Sequence, residues 1–342
     1  MTEAGRLLHQ TSVLNHLDGY FVPPTAFRVS GIEELEGEVF GPILHIATYE
    51  STDISRIVQS VNARGYGLTF GLHTRIEQRS ENIAKKVNAG NIYVNRNQIG
   101  AVVGSQPFGG RGLSGTGPKA GGPYYVARMR EFGRLDDDEP IGFDVARGDL
   151  GSLLELLATK QSAWIREPDR FNRLKAVLRE RSDLVQHLEF ANEYTPLFQE
   201  LDGPTGESNQ LYLGPKGVFI CIESIEHVLH ALLAGNAVLG VRVDDAIIGS
   251  LQESDLPVLS SDVLPDKNTL MFSEYLAGVS VGNCSTDLKR ILRIEVAARP
   301  GAIIGFIMER NVPWQFCVEK SICTDTTAAG GNAKLLLESV AA

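Results

Sequence analysis

Short apolar runs and helical stripes alternate along the first third of the chain. Gly19-Tyr20-Phe21-Val22-Pro23-Pro24 predicts a strand stopped by a Pro-Pro pair. Ile43-Leu44-His45-Ile46-Ala47 predicts a buried strand. Asp53 can cap a helix whose apolar stripe is Ile54, Ile57, Val58 and Val61, with Gly65 as its stop. A strand is expected over residues 68–72. A second helix carries Ile76, Ile83 and Val87 and closes at Gly90, and residues 91–95 form another strand. Strands alternating with helices predict an α/β layer structure.

The pattern then breaks. Residues 98–123 are dense in glycine and contain Pro107, Pro118 and Pro123. So long an aperiodic stretch inside a regular domain is usually a functional loop. Arg134-Leu135-Asp136-Asp137-Asp138-Glu139-Pro140 follows, a charged run that predicts a linker over 134–145. Beyond it, helical stripes run through Leu150, Leu153, Leu154 and Leu157, and through Phe171, Leu174, Val177 and Leu178. Val218-Phe219-Ile220-Cys221-Ile222 predicts a buried strand. A helix with Ile225, Val228, Leu229, Leu232 and Leu233 follows, halted by Gly235-Asn236, then a strand over 237–243. That is a βαβ unit.

At 342 residues, two domains are the natural expectation. Apolar residues make up 43% of the chain, enough for real cores. The net charge of −10 argues against a nucleic-acid surface, which needs a basic stripe. Cys221, Cys284, Cys317 and Cys323 form no CxxC pair, which fits reduced thiols in a reducing compartment. Residues 1–9 hold no apolar signal core, and no apolar run approaches the roughly 20 residues of a membrane span. A cytoplasmic protein is expected. His227-x-x-His230 has helical spacing but no third ligand, and Asp136-Asp137-Asp138-Glu139 lacks the glycine and spaced acceptors of a calcium loop. No metal site is expected.

Two motifs carry chemistry. Glu36-Gly37-Glu38-Val39-Phe40-Gly41-Pro42 sets a carboxylate before an aromatic and a Gly-Pro turn. A carboxylate offers only acceptors and suits paired hydroxyl donors. An ordinary surface Glu before a strand is the competing reading of this motif alone. The second motif runs from Asn95-Arg96-Asn97-Gln98-Ile99-Gly100-Ala101-Val102-Val103-Gly104 through Ser105-Gln106-Pro107-Phe108-Gly109-Gly110-Arg111-Gly112-Leu113-Ser114-Gly115. Gly100-Ala101 leave the backbone bare, so amides can approach a carboxylate as in an anion-binding nest. Gly109-Gly110-Arg111-Gly112 is not a dinucleotide loop, because the flanking strand and helix and the distal acid are missing.

Together these residues resemble the aldehyde dehydrogenase family, and the second motif resembles the C-terminal signature of its proline-catabolic branch, L-glutamate γ-semialdehyde dehydrogenase. Leu201-Asp202-Gly203-Pro204-Thr205-Gly206-Glu207-Ser208-Asn209 and Ala328-Ala329-Gly330-Gly331-Asn332-Ala333 resemble the long forms of the bifunctional proline utilization A family, which carry an extra C-terminal domain. The resemblance implies a partial aldehyde dehydrogenase catalytic domain over 1–133. It implies that Glu38 accepts from the nicotinamide ribose and that Phe40 packs near the nicotinamide of NAD. Gly100 and Ala101 would hold the α-carboxylate of L-glutamate γ-semialdehyde, and Phe108 would line its carbon chain. The family's cysteine nucleophile, its general-base Glu and its NAD domain precede the first motif. Only 37 residues precede Glu38 here and none is Cys. No catalytic residue is therefore assigned, and the chain alone is expected to be inactive. Missing upstream domains of the same polypeptide would supply these parts, together with an FAD-dependent proline-oxidising domain.

Residues 146–323 resemble a Rossmann-like cofactor domain that has lost its ligands, with Val241 at the place of the family's ribose-binding lysine. The W-N-F-P segment of the family is replaced by Glu223-Ser224-Ile225. Residues 244–299 match only loosely. The tail over 324–342, with its small residues and Leu335-Leu336-Leu337, is expected to dock as a lid on the dehydrogenase half. A non-catalytic interaction or cover module is the alternative reading of the chain, and a homo-oligomer is left open.

Overall fold

Proline decides where the first sheet begins in the computed structural model, which describes residues 6–12, 18–129 and 146–327. The strands are β1 (Leu7–Gln10), β2 (Thr25–Arg28) and β3 (Ile43–Ile46). The expected strand at 19–24 does not form. Pro23 and Pro24 have no N–H to give a ladder, so pairing starts at Thr25, whose N–H donates to Pro42 O at 2.9 Å. Tyr20 stands fully exposed. β2 runs antiparallel to β1 and parallel to β3. β3 is half-exposed rather than buried, with Leu44 and Ile46 on the open side. Among the described residues no layer covers that face.

The next elements are α1 (Ile54–Ala63), β4 (Tyr66–Gly67), β5 (Thr69–Leu72), α2 (Glu77–Lys86), β6 (Asn91–Val94) and β7 (Arg111–Gly112). Asp53 occupies the cap position of α1 but its side chain caps no backbone amide; it lies 3.4 Å from Arg56 Nη2. The expected stripe holds in Val58, which packs with Ile83, Ala84, Val87, Ile92 and Val94 in a small core. α2 ends at Lys86, one residue earlier than its apolar stripe suggested, and Val87 continues extended and buried.

After 146 come β8 (Arg147–Gly148), α3 (Gly151–Trp164), α4 (Arg170–Val177), α5 (Ser182–Tyr194), β9 (Phe198–Leu201) and β10 (Glu207–Pro215). Then follow β11 (Val218–Ile222), α6 (Ile225–Leu233), β12 (Ala237–Val241), α7 (Asp245–Glu253) and β13 (Val258–Ser261). The chain continues with β14 (Leu264–Pro265), α8 (Lys267–Phe272), β15 (Leu276–Val281), α9 (Thr286–Ala297), β16 (Gly305–Ile307) and β17 (Cys317–Asp325). A parallel sheet has the order β13-β12-β11-β15-β16. Alternate strand residues serve opposite faces, as a period of two requires. Phe219, Cys221 and Val238 pack with Leu174, Leu188, Val228 and Ile248. Val218, Ile220, Ile222 and Leu239 pack with Leu154, Leu157 and Leu292. The turn between α6 and β12 rests on Gly235, at φ 92°, and on buried Asn236. Asn236 Oδ1 accepts from Lys216 N and Gly217 N, and its Nδ2 donates to Ala231 O and Phe316 O.

The second sheet of five strands joins the two parts of the chain. Its order is β5-β6-β17-β10-β9. β17 lies parallel to β6, with Ser321 opposite Asn91 and Thr324 opposite Val94, and antiparallel to β10 along nine residue pairs. Thr324 and Asp325 therefore finish a central strand, whereas the sequence expectation began a tail at 324. The expected linker at 134–145 and residues 328–342 of the expected tail lie outside the described residues. The α/β class expected from the alternation of elements is the class the chain adopts.

Candidate functional site

β6 delivers the chain into the long glycine-rich loop at Asn95, at φ 60°, whose side chain accepts from Thr74 N at 2.9 Å. Asn97 Oδ1 accepts from Ile99 N at 3.0 Å and turns the loop outward. Gly100 follows at φ 79°, a conformation that L side chains rarely adopt, although a side chain there would meet nothing within 4 Å. Glycine is thus needed at 100 for the turn rather than for room. Gly100 and Ala101 are exposed, and their N–H groups have no acceptor among the described residues. Two adjacent, solvated amides on one turn are what an anionic oxygen needs.

The far side of the loop is not aperiodic as the sequence suggested. Phe108 and Ala120 exchange backbone hydrogen bonds of 3.0 and 2.8 Å. Arg111–Gly112 pairs with Tyr66–Gly67. Asn91 sits beneath, donating to Pro107 O at 2.8 Å and accepting from Gly109 N at 3.1 Å. Buried Lys119 donates from Nζ to Asn91 Oδ1 at 2.8 Å and to Gly109 O at 2.6 Å. Burial pulls the Lys119 ammonium down to about 8, against the pull of Glu319. Phe108 is half-buried and held by this framework.

Two carboxylates reach the loop from the strands contributed by the second part of the chain. Glu319 on β17 accepts from Lys119 N at 2.8 Å, and burial pushes its carboxyl above the usual range. Glu207 on β10 accepts from Arg96 Nη1 at 2.6 Å and from Gln106 Nε2 at 3.1 Å. The Arg96 guanidinium also lies 5.6 Å from the centre of the Tyr93 ring. Sequence reasoning assigned no role to Glu207, Arg96, Gln106, Lys119 or Glu319. Glu207 lies in Leu201-Asp202-Gly203-Pro204-Thr205-Gly206-Glu207-Ser208-Asn209, whose turn residues before a charged strand start were the available signal.

Glu38 and Phe40 stand on another element, the turn before β3. Both are exposed, Phe40 at 90%, and Glu38 has no hydrogen bond or ion pair among the described residues. Arg64 donates to Glu36 O at 3.3 Å. The turn meets the rest through β4, where Tyr66 lies beside Gly37 and pairs with Gly112. No hydrogen bond joins Glu38 or Phe40 to Gly100, Ala101 or Phe108 among the described residues. The expected residues thus fall on separate segments: Glu38 and Phe40 on the turn before β3, Gly100 and Ala101 on the exposed turn of the loop, and Phe108 on the stretch bridged to Ala120.

The four cysteines are free and buried. Burial pushes the Cys221 and Cys317 thiols up to about 12, and Cys284 and Cys323 up to about 11. A nucleophilic thiol needs the opposite shift. Val241 is fully buried among Ile222, Leu239 and Val281, so it faces core rather than any ligand. The next residue, Arg242, leaves the strand at φ 55° and its Nε lies 3.3 Å from Glu223 Oε1; Glu223 itself is at φ 52°. At the switch point between β11 and β15, where such sheets bind ligands, Gly282 N donates to Ile222 O at 2.8 Å and a Cβ at Gly282 would overlap Glu223 O. Among the described residues no group of three potential metal ligands occurs, and no helix is long and apolar enough to cross a membrane. His227 Nε2 lies 3.0 Å from Glu309 O, and the His230 ring packs edge-on to Phe316.

Residues 2–133 match the aldehyde dehydrogenase family. The chain carries an aldehyde dehydrogenase region related to that of the bifunctional PutA proteins. It is 35% identical to the bifunctional protein PutA of Klebsiella aerogenes over 356 residues, which cover 96% of this chain and 26% of that protein. Over 112 residues it is 39% identical to the 1-pyrroline-5-carboxylate dehydrogenase of Bacillus subtilis (strain 168), covering 32% of this chain and 21% of that protein. The structure of proline utilization A from Corynebacterium freiburgense superposes with a TM-score of 0.52 at 22% identity, over 88% of this chain and 27% of that one, and shares the fold. The chain spans about a quarter of the length of the PutA relatives it matches.

Proposed function

We propose that this chain supplies the substrate anchor and the ribose-side contacts of an NAD-dependent dehydrogenase. That enzyme oxidises L-glutamate γ-semialdehyde to L-glutamate during proline breakdown. The observation that carries the reading is the pair of unpartnered amides at Gly100 and Ala101, on a turn whose two stems are held. Its relatives named PutA and 1-pyrroline-5-carboxylate dehydrogenase agree with that substrate class. The amides bind the α-carboxylate and so fix which end of the substrate points inward. The half-buried Phe108 excludes water beside the carbon chain.

The residues present suit NAD. Glu38 is acceptor-only, exposed and uncommitted, as paired ribose hydroxyls require, and Phe40 offers an open ring beside it. When bound, NAD supplies the hydride acceptor. The cysteine nucleophile, the main NAD-binding domain and an FAD-dependent proline-oxidising domain belong, in this reading, to the rest of a longer polypeptide. The part after residue 146 acts there as a pseudo-cofactor domain that binds no NAD. The closed switch point, the buried Val241 and the Glu223–Arg242 pair support this.

Gly100→Val tests the anchor in the full-length polypeptide. It should raise KM for the semialdehyde about tenfold, because the turn can no longer be adopted without strain. An unchanged KM for this carboxylated aldehyde would remove the assignment.

A further inference from the structure

The exposed turn that carries Gly100 and Ala101 makes few contacts of its own. Beyond the Asn97–Ile99 bond, its support is Gln106 N donating to Val102 O at 2.7 Å and Gly104 N donating to Gly121 O at 3.0 Å. Its conformation therefore depends on where its stems are held. One stem begins at Arg96 and the other at Gln106, and a single carboxylate grips both. Glu207 Oε1 takes Arg96 and Oε2 takes Gln106, at 2.6 and 3.1 Å. Arg96 and Glu207 are largely removed from water, with side-chain exposures of 16% and 22%. Gln106 is buried, and among the described residues its Oε1 has no partner and Nε2–Glu207 is its one side-chain bond.

Glu207 is itself rigidly set. It opens β10 directly after Gly206, at φ 92°, and its N–H donates to Pro204 O at 3.1 Å. β10 is paired on both edges, to β17 and β9. The carboxylate thus comes from a fixed strand and spans the two stems of an exposed turn like a staple. Its neighbour strand repeats the device, since Glu319 holds Lys119 N behind Phe108 and Ala120.

We propose that Glu207 is a positioning residue for the carboxylate-binding turn, so that the second part of the chain tunes which aldehydes the first part accepts. This rests on the anchor reading given above. Removing Glu207 leaves the buried amide without its acceptor and leaves the guanidinium with only Cys323 Sγ, 2.9 Å from Nη1, in place of a carboxylate; a lost charge-assisted bond of this kind is costly. The freed stems let the Gly100 and Ala101 amides diverge. Only a substrate with a carboxylate feels that change.

The test is made in the full-length polypeptide with two aldehydes, glutamate semialdehyde and butanal. Glu207→Ala should raise KM for the semialdehyde about tenfold while kcat moves less than about twofold and KM for butanal stays within about twofold. Gln106→Ala keeps the ion pair and should show the same pattern at about threefold. The double variant should be no worse than Glu207→Ala, because both act through one clamp. Should Glu207→Ala fail to accumulate, Gln106→Ala decides the matter alone. Equal rises for the two aldehydes, or a fall in kcat with KM unmoved, overturn the proposal. Gly100→Val in the same series separates the two ideas. If its semialdehyde KM is unchanged, the anchor reading has failed; if it rises while the Glu207 and Gln106 variants behave as wild type, only the clamp has failed.

Discussion

The two parts of this chain bury their apolar side chains to very different degrees. After residue 146, helices cover both faces of the β11–β16 sheet and leave Phe219, Ile220, Val238 and Leu239 without exposure. Among the described residues before 130 there is one small core, around Val58, Ile83 and Ile92, while Phe21, Phe40, Leu44, Ile99 and Val103 remain exposed. Each large side chain left in water forgoes about 1.5–3 kcal/mol of burial. The first part therefore leans on the second for order, through β17 and the carboxylates on β10 and β17. The lesson is a division of labour. The chemistry-bearing turns sit on the poorly covered part, and the strands that hold them still come from the well-packed part.

The largest expected effect falls on that dependence. Ile322 lies in the middle of β17, between Ile92 and Gln210, and packs on the small core. Ile322→Pro removes a ladder donor from a central strand and, by leaving its acceptor unpaired, should cost about 1–3 kcal/mol. Hydrogen exchange on the 342-residue chain should then show β5 and β6 amides losing protection while β11 and β12 keep theirs. Retained protection in β5 and β6 would show that the first part stands by itself.

Lys119 sharpens the comparison through pH. Its folded-state value of about 8 lies below the ordinary 10.5 of the unfolded chain. Between these values the unfolded state binds more protons, so stability rises with pH across that window. The burial cost is present in full below pH 8 and relieved above 10.5. Relative to Lys119→Met, the wild-type chain should gain up to about 3 kcal/mol between pH 7.5 and about 10.5. Denaturant unfolding of both forms at several pH values measures this, and a flat difference would mean that the ammonium is not held in a dry setting.

Smaller effects separate the two candidate cofactor surfaces. In the full-length polypeptide Glu38→Ala should raise KM for NAD about tenfold, the loss of a charged acceptor for ribose hydroxyls. Glu223→Ala and Arg242→Ala, at the closed switch point of the second part, should change it less than about twofold. A rise there comparable with that at Glu38 would make the second part a working nucleotide site and end the contrast.

Local patterns were the legible portion of this molecule. The stripes through α1, α2 and α6, and the apolar runs of β11 and β12, need only neighbours in the chain to be read. Gly100 and Ala101 were equally legible, because a bare turn inside a motif is a local property. β17 was not. Its alternation of buried Cys317, Ser321 and Cys323 with half-buried Val318, Lys320 and Ile322 makes sense only beside β6 and β10, which lie far off in the chain. The pairs Glu207–Arg96 and Glu319–Lys119 were hidden for the same reason: each joins residues more than a hundred positions apart. At 19–24 a local pattern misled, since the apolar run was visible but the missing proline donors decided the pairing.

The position of β17 also sets a schedule. During synthesis β5 and β6 emerge long before β17, so the whole stretch from β7 to β16 is made before the strand that pairs with β6 exists. Until then the β6 edge offers unpaired N–H and C=O groups, which other chains can capture. The nascent first part should need shielding from a chaperone for longer than its own length suggests. A premature stop anywhere between β10 and β17 would strip a partner from the middle of a sheet whose other strands are already made, and so should also unsettle β5 and β6, far earlier in the chain.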